Sequence, residues 1–116
     1  RPFVSRSWRL FLGDIHEASD RILRYAEGKD LSAFSADEMA YDAVLRNLQI
    51  IGEAAKAIPE DVRQAHPEVD WKGMAGLRDV LAHAYFGLDD ETLWDVVTTK
   101  IPQLRNQVRR ILDERS

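Results

Sequence analysis

The chain has 116 residues, of which 45% are hydrophobic and 31% charged, and these values are typical of one globular domain, so residues 1–116 are assigned to a single domain. It has no cysteine, which excludes disulfides, thiolate metal ligands and a cysteine nucleophile. Its formal net charge of −4 argues against a general nucleic-acid coat protein but is compatible with a nuclease that has a local basic cleft.

The first predicted helix covers residues 7–26. Its apolar residues recur every three or four positions, so they share one face of a helix. This stripe consists of Trp8, Phe11, Ile15, Ala18, Ile22 and Tyr25. Gly28 is expected to end the helix, because glycine readily adopts the left-handed conformation found after many helix C-termini.

A second helix is expected over the next apolar stretch. Ser35 and Glu38 match the S-x-x-E pattern of a capping box, which places the start of the helix at Ser35. The main stripe consists of Ala40, Ala43, Val44, Leu48, Ile51, Ala54, Ala55 and Ile58. Leu45 and Ile50 lie off that stripe, so the apolar arc is wide. The wide arc predicts burial on two sides, within a bundle and against a second subunit.

Two shorter helices are expected in the middle of the chain. Pro59 either ends the second helix or opens a short one that runs to about Ala65. A loop follows, and another short helix begins at about Lys72. The next helix covers residues 76–85, and Gly87 is expected to end it.

The last predicted helix has its N-cap at Asp89. Its apolar stripe consists of Leu93, Val96, Val97, Ile101, Leu104, Val108, Ile111 and Leu112. Pro102 should bend this helix, because proline cannot donate the backbone hydrogen bond of the preceding turn. No alternating strand pattern is visible, so the sequence predicts an all-α, up-down bundle of four or five helices.

The residues with chemical potential lie together in residues 77–86. Arg78 offers a rigid set of donors suited to phosphate oxygens, and His83 can transfer a proton near neutral pH. This pair is sufficient for metal-independent RNA cleavage, in which the attacking group is the 2′-hydroxyl of the substrate. Asp79 lies four residues before His83, on the same helix face, and could hold the imidazole in one tautomer.

The helical geometry of this run leaves a question open. Arg78 and His83 are five residues apart, so on an ideal helix they diverge by about 140°. Either the helix unwinds near Gly87, or a second copy completes the site across a two-fold axis. Tyr85 lies seven residues after Arg78 and shares its face. A surface ion pair between Asp79 and a structural histidine is the non-functional interpretation.

The chain resembles the HEPN superfamily and, within it, the HepT toxins. The resemblance rests on Arg-x4-His-x-Tyr, followed by Phe-Gly and an Asp-Asp-Glu helix start. Further matching positions are residues 8–12 with Asp14 and Ile15, residues 46–55, Trp71, residues 75–77, Trp94 and Pro102. The resemblance implies a ribonuclease toxin that forms a two-fold homodimer, with paired motifs facing one cleft. It also implies a type VII-like pair with a nucleotidyltransferase antitoxin called MntA.

The resemblance implies a role for each motif residue. Arg78 and His83 would be catalytic, and Asp79 would orient His83. Tyr85 would be the acceptor of AMP transferred by the antitoxin, which neutralises the toxin. An alternative function is a non-catalytic HEPN module that presents substrate or nucleotide to a nucleotidyltransferase. A plain helical dimerisation protein is a third, although it leaves the motif unused.

The remaining polar residues have weaker expected roles. Arg46 and Asn47 could line an RNA groove, or could belong to a solvated helix face. His16 and His66 are expected on the surface, and Glu53 is expected to be a partly buried acceptor. The three histidines are too scattered for a metal site, so neither metal nor cofactor is expected. With no membrane-length apolar stretch and no signal peptide, a cytoplasmic location is expected.

Overall fold

The computed structural model describes residues 7–85 and 90–114, apart from the side chain of Tyr85. All regular structure in these ranges is helical, which confirms the predicted all-α class. In chain order the helices are α1 (Trp8–Ala26), α2 (Leu31–Ala36), α3 (Glu38–Lys56), α4 (Glu60–Ala65), α5 (Trp71–Ala75), α6 (Leu77–Tyr85), α7 (Asp90–Asp95) and α8 (Ile101–Asp113). A π-helical turn, Val96–Lys100, joins α7 to α8.

Helix α1 follows the sequence prediction closely. The Ser7 side chain accepts a hydrogen bond from the backbone N–H of Arg9 at 3.2 Å and so caps the helix. Its inward face is completely buried at Leu12, Ile15, Ala18 and Ile22. After the helix, Gly28 adopts a φ of 73°, the left-handed conformation that only glycine takes at little cost.

The predicted capping box at Ser35 is wrong. Ser35 lies inside α2, a short helix that the sequence pattern did not reveal. Asp30 caps α2, and its Oδ1 accepts from the N–H of Ala33 at 2.8 Å. Asp37 caps α3, and its Oδ1 accepts from the N–H of Ala40 at 3.0 Å. An aspartate satisfies the free N–H groups and also interacts favourably with the positive end of the helix dipole.

The wide apolar arc of α3 is largely buried within its own chain. Helix α3 packs against α1 most extensively and also against α2, α5 and α6. Leu45, which lies off the main stripe, is only 3% exposed, and Ile50 is half-buried. The arc therefore does not require a second subunit, contrary to the reasoning from sequence.

Short helices are attached to the long ones by caps and aromatic contacts. Pro59 immediately precedes α4, so the second of the two expectations for this proline is confirmed. Phe34 of α2 is completely buried, with its ring centroid 5.4 Å from that of Tyr41 and 4.9 Å from that of Trp94. This cluster joins α2, α3 and α7.

A π-helical turn, Val96–Lys100, precedes Pro102, and the bend expected at this proline remains a prediction. Pro102 is in the first turn of α8, where its missing N–H matters least. In the π-helical turn, the hydroxyl of Thr98 donates to the carbonyl oxygen of Trp94 at 2.8 Å. The predicted helix end at Gly87 and N-cap at Asp89 lie outside the described residues.

Candidate functional site

Helix α6 carries the motif and packs one side against α3. Leu77 and Ala84, seven residues apart, are buried on that side. Val80 and Leu81 are half-buried and pack against the core. The burial of this side fixes the rotation of the helix, so the motif residues between these positions face outward.

Arg78, Asp79 and His83 are all exposed. Among the described residues, no hydrogen bond or ion pair joins Asp79 to His83 or to Arg78. The orienting role of Asp79 therefore remains a prediction, and the surface ion pair of the non-functional interpretation does not form in this chain. The backbone of Tyr85 completes the last turn of α6.

The helix does not unwind between the two candidate catalytic residues. It is α-helical throughout Leu77–Tyr85. Arg78 and His83 consequently differ by about 140° around the helix axis. The two side chains therefore leave the helix axis in different directions.

A groove of about 420 Å³ runs between α3 and the α5–α6 segment, and Arg78 lies at its edge. On the α3 side it is lined by Gln49, Gly52 and Lys56. Leu81 lines the opposite wall. The groove therefore has an apolar wall, and it is lined by the cationic side chains of Arg78 and Lys56 together with the carboxylate of Glu53.

A second groove, of about 510 Å³, lies on the other side of α3, against α1. Phe11 and Ile50 contribute its apolar surface, and Arg46 lies at its edge. Gln49 and Glu53 line both grooves. The exposed face of α3 is therefore a ridge between two grooves.

The two residues suggested for an RNA groove separate in the structure. Arg46 is exposed, whereas Asn47 is only 5% exposed. The Asn47 amide donates to the carbonyl oxygen of Ala43 at 2.8 Å and accepts from Arg21 at 3.3 Å. Neighbouring residues lie about 100° apart on a helix, so Asn47 faces α1 while Arg46 faces solvent. The prediction that Asn47 lines an RNA groove is therefore wrong.

One further expectation about a polar residue is wrong, and two others are met in part. Glu53 is exposed, and its Oε1 lies 3.9 Å from Nζ of Lys56. The His16 and His66 side chains are half-buried, at 18% and 17% exposed, so they are only partly at the surface. Nδ1 of His16 lies 3.7 Å from Oδ2 of Asp20, on the next turn of α1.

Tyr41 was missed as a site-supporting residue. Its hydroxyl lies 2.7 Å from Oδ1 of Asp90 and 3.2 Å from the carbonyl oxygen of Ala84. Burial and the hydrogen bond to Asp90 raise the pKa of Tyr41 to about 12, so the phenol stays protonated and can donate. One hydroxyl thus joins α3 to the end of α6 and the start of α7. No local sequence signal links residues so far apart.

A charged cluster joins α1 to α8. Nε of Arg105 donates a hydrogen bond to Oδ1 of Asp20. This hydrogen bond lowers the pKa of Asp20 below its usual value. With His16 beside it, the cluster is accounted for by the packing of the two helices.

Neither a metal cluster nor a membrane-spanning helix is found in the described ranges. Across residues 7–85 and 90–114, no group of three or more His, Cys, Asp or Glu side chains could hold a metal ion. In the same ranges, no helix is long and apolar enough to cross a membrane.

Comparisons with known proteins bear on this site. A family model described as "Ribonuclease HepT-like" matches residues 15–111. The protein named "Putative RNase MJ0127" from Methanocaldococcus jannaschii is 41% identical over 106 residues, covering 91% of this chain and 88% of that protein. "Probable ribonuclease HepT" from Thermococcus cleftensis is 41% identical over 108 residues, covering 93% of this chain and 98% of that protein. No solved structure matches the chain significantly.

Proposed function

Because the chain belongs to the HepT-like ribonuclease family, we propose that it is a metal-independent RNA endonuclease and the toxin of a toxin–antitoxin pair. The observation that carries the proposal is the exposure of Arg78 and His83 on a helix whose other side is buried against α3. Burial holds the helix in place, so its two exposed functional groups have defined positions. The family assignment supports the RNA substrate.

The proposed reaction is an internal transesterification. His83 accepts the proton of the 2′-hydroxyl, and the 2′-oxygen forms a bond to the adjacent phosphorus. The bond from phosphorus to the 5′-oxygen breaks, and that oxygen receives a proton from an imidazolium, either the same His83 or its copy in a second subunit. Arg78 stabilises the charge on the pentacoordinate phosphorus. The products are a 2′,3′-cyclic phosphate and a 5′-hydroxyl.

The proposed active unit is a two-fold homodimer. Its support is the divergence of Arg78 and His83 around α6. Two copies with their motifs along one cleft would supply Arg78 and His83 to the same phosphate. In that cleft, Asp79 would orient the imidazole of His83.

The proposed regulation is AMP transfer to Tyr85 by a cognate nucleotidyltransferase. The phenol oxygen would bond to the α-phosphorus of ATP, with loss of its proton and release of pyrophosphate. The product is a phosphodiester with one negative charge. Because Tyr85 lies two helical turns from Arg78, this anion could occupy the place of the RNA phosphate.

The test compares cleavage of an RNA strand and the same strand with 2′-deoxyribose, both in excess EDTA. We expect only the RNA to be cut, leaving 2′,3′-cyclic phosphate ends. His83→Ala and Arg78→Ala should each lower the cleavage rate by about 100-fold or more. Arg109→Ala, at an exposed arginine on α8, is the matched control and should cut normally.

Several outcomes would reject this function. Cleavage of the deoxy strand, or loss of activity with EDTA, contradicts the mechanism. Unchanged cleavage by both motif variants contradicts the assigned residues. A folded wild-type protein that cuts no RNA favours the non-catalytic module.

A further inference from the structure

The exposed ridge of α3 carries charges in a regular order. Beyond its first turn, α3 exposes Asp42, Arg46, Gln49, Glu53 and Lys56, at alternating spacings of four and three. On an ideal helix these five positions fall within an arc of about 80°. The ridge is therefore one narrow face along the length of α3.

The order of these charges is self-complementary. Along the chain the signs are negative, positive, neutral, negative and positive. Arg46 lies three residues before Gln49, and Glu53 lies three residues after Ile50. When a second copy of α3 runs antiparallel, with a two-fold axis midway between Gln49 and Ile50, Arg46 lies directly opposite Glu53 of the partner subunit. In the same register, Asp42 lies within one residue of the position opposite Lys56 of the partner subunit.

We propose that α3 forms the two-fold interface between two copies of this chain. In this interface Arg46 pairs with Glu53 of the partner subunit, and Asp42 faces Lys56 of the partner subunit. By symmetry each pair occurs twice. The inference deepens the homodimer of the proposed function, since it names the surface and its register.

The charges on the ridge are available for such pairing. Within residues 7–85 and 90–114, neither Asp42 nor Arg46 forms an ion pair. Glu53 and Lys56 approach each other only to 3.9 Å, and both are exposed. An ion pair of this kind contributes little to the stability of a single chain.

The grooves beside the ridge suit helix packing between copies. When two α3 helices cross face to face, the side chains that flank each ridge can contact the partner on either side of the charged pairs. The groove toward α1 offers the half-buried side chains of Phe11 and Ile50, and the groove toward α6 offers Leu81. These apolar walls provide the desolvated area that ion pairs alone do not supply.

This face fits a second copy better than it fits RNA. Asp42 and Glu53 are carboxylates on the same narrow face as Arg46, and they would repel phosphate groups. In the paired arrangement each carboxylate instead faces a cation. Arg46 is thereby assigned to the subunit interface, and Arg78 lines the groove beside that interface.

The pair formed by Arg46 and Glu53 lies nearer the two-fold axis than the pair formed by Asp42 and Lys56, so it gives the sharper test. Arg46 and Glu53 lie about 5 Å from the axis along the helix, so they remain opposed over a range of crossing angles. Arg46→Glu and Glu53→Arg each place like charges opposite one another twice. Both substitutions use good helix formers, so α3 itself should keep its structure.

The experiment is sedimentation velocity over a dilution series of the purified chain, at low and moderate salt. We expect a wild-type dimer and a dissociation constant at least about tenfold higher for each single variant. The double variant, Arg46→Glu with Glu53→Arg, should recover most of the lost affinity. Arg109→Glu, on α8, is the control and should not change dimerisation. Circular dichroism confirms that each variant is folded.

The proposal is overturned by a monomeric wild type, by single variants that dimerise normally, or by a double variant as weak as the singles. None of these measurements uses RNA. A dimer that obeys the charge pattern but cuts no RNA therefore removes the proposed function and leaves the interface standing. If the protein cuts RNA but the charge substitutions do not change dimerisation, the interface is rejected and the proposed function stands.

Discussion

At the scale of single residues, the position of a residue around α6 decides its role. Residues on the buried side stabilise the fold, and residues on the exposed side are available for chemistry. Leu77 and Ala84 are buried and hold the helix against its neighbours, while Arg78 and His83 are exposed. Removing an exposed side chain that has no partner changes the free energy of unfolding by at most about 0.5 kcal/mol. Loss of cleavage in the Arg78 and His83 variants can therefore be read as a chemical effect.

Tyr41 is predicted to contribute stability through its hydroxyl. Tyr41→Phe removes the hydrogen bonds to Asp90 and to the Ala84 carbonyl and should lower the free energy of unfolding by about 1 kcal/mol. Urea unfolding at neutral pH measures the difference. Tyr25→Phe is the matched control, because the Tyr25 hydroxyl forms no hydrogen bond within the described residues. Equal stability of Tyr41→Phe and wild type would contradict the role.

The stabilisation by the Tyr41 hydroxyl should depend on pH. Its folded pKa is raised to about 12, above the usual 10, so the folded state holds this proton more tightly than the unfolded state. The stabilisation is complete below pH 10 and is lost as the pH rises through 12. The difference between wild type and Tyr41→Phe should shrink over that range. A constant or growing difference would be inconsistent with this linkage.

Tyr85 carries the regulatory prediction. Co-expression with a cognate nucleotidyltransferase should increase the intact mass of the chain by one or more AMP units. Tyr85→Phe lacks the acceptor oxygen, so its mass should not change and its toxicity should escape neutralisation. Tyr25→Phe again serves as the control and should be modified normally. An equal mass increase on Tyr85→Phe would exclude this residue as the acceptor.

At the scale of elements, helix starts are decided by a few polar side chains. The structure assigns the start of α3 to Asp37, and Ser35 lies inside α2. Both residues match N-cap preferences in the sequence, so only the backbone path distinguishes them. This distinction gives opposite expectations for two neighbouring substitutions.

Asp37→Ala should lower the free energy of unfolding by about 1 kcal/mol, because the N–H of Ala40 loses its acceptor. Ser35→Ala should be neutral or slightly stabilising, because Ser35 is exposed inside a helix and alanine is the better helix former. Thermal unfolding of the two variants decides between the caps. A larger loss of stability for Ser35→Ala than for Asp37→Ala would show that Ser35 is the N-cap after all.

At the scale of the whole molecule, α1 and α8 join the two ends of the described chain. Asp20 and Arg105 are 85 residues apart in sequence and form a hydrogen-bonded ion pair. Their contact forms only when the bundle is complete. Its energetic effect therefore reports on the global fold rather than on either helix alone.

Asp20 predicts a loss of stability in acid. Arg105 lowers the folded pKa of Asp20 below 3.8, so the stabilisation is present above that pH and is lost as the pH falls through the lowered pKa. The melting temperature of Asp20→Asn should therefore be below that of wild type at pH 7, and the difference between the two melting temperatures should narrow as the pH falls below 3.8. Asp113→Asn, at an exposed position on α8, should show no such narrowing. A gap that widens in acid would contradict the assignment.

Sequence alone determined the features that depend on local periodicity and residue chemistry. The apolar stripe of α1, the glycine after it and the helix boundary at Pro59 are all readable from neighbouring residues. The Arg78 and His83 motif and the family resemblance were also present in the linear pattern. These features survive folding because helical period and proline geometry are properties of a few adjacent residues.

Only the tertiary structure decided what each helix face touches. It buried Leu45 and Asn47 within the chain, joined Tyr41 to Asp90, and left the charged ridge of α3 between two grooves. Such contacts join residues far apart in sequence. Their formation depends on the rotation and crossing of whole helices, and the period of a single helix does not specify these.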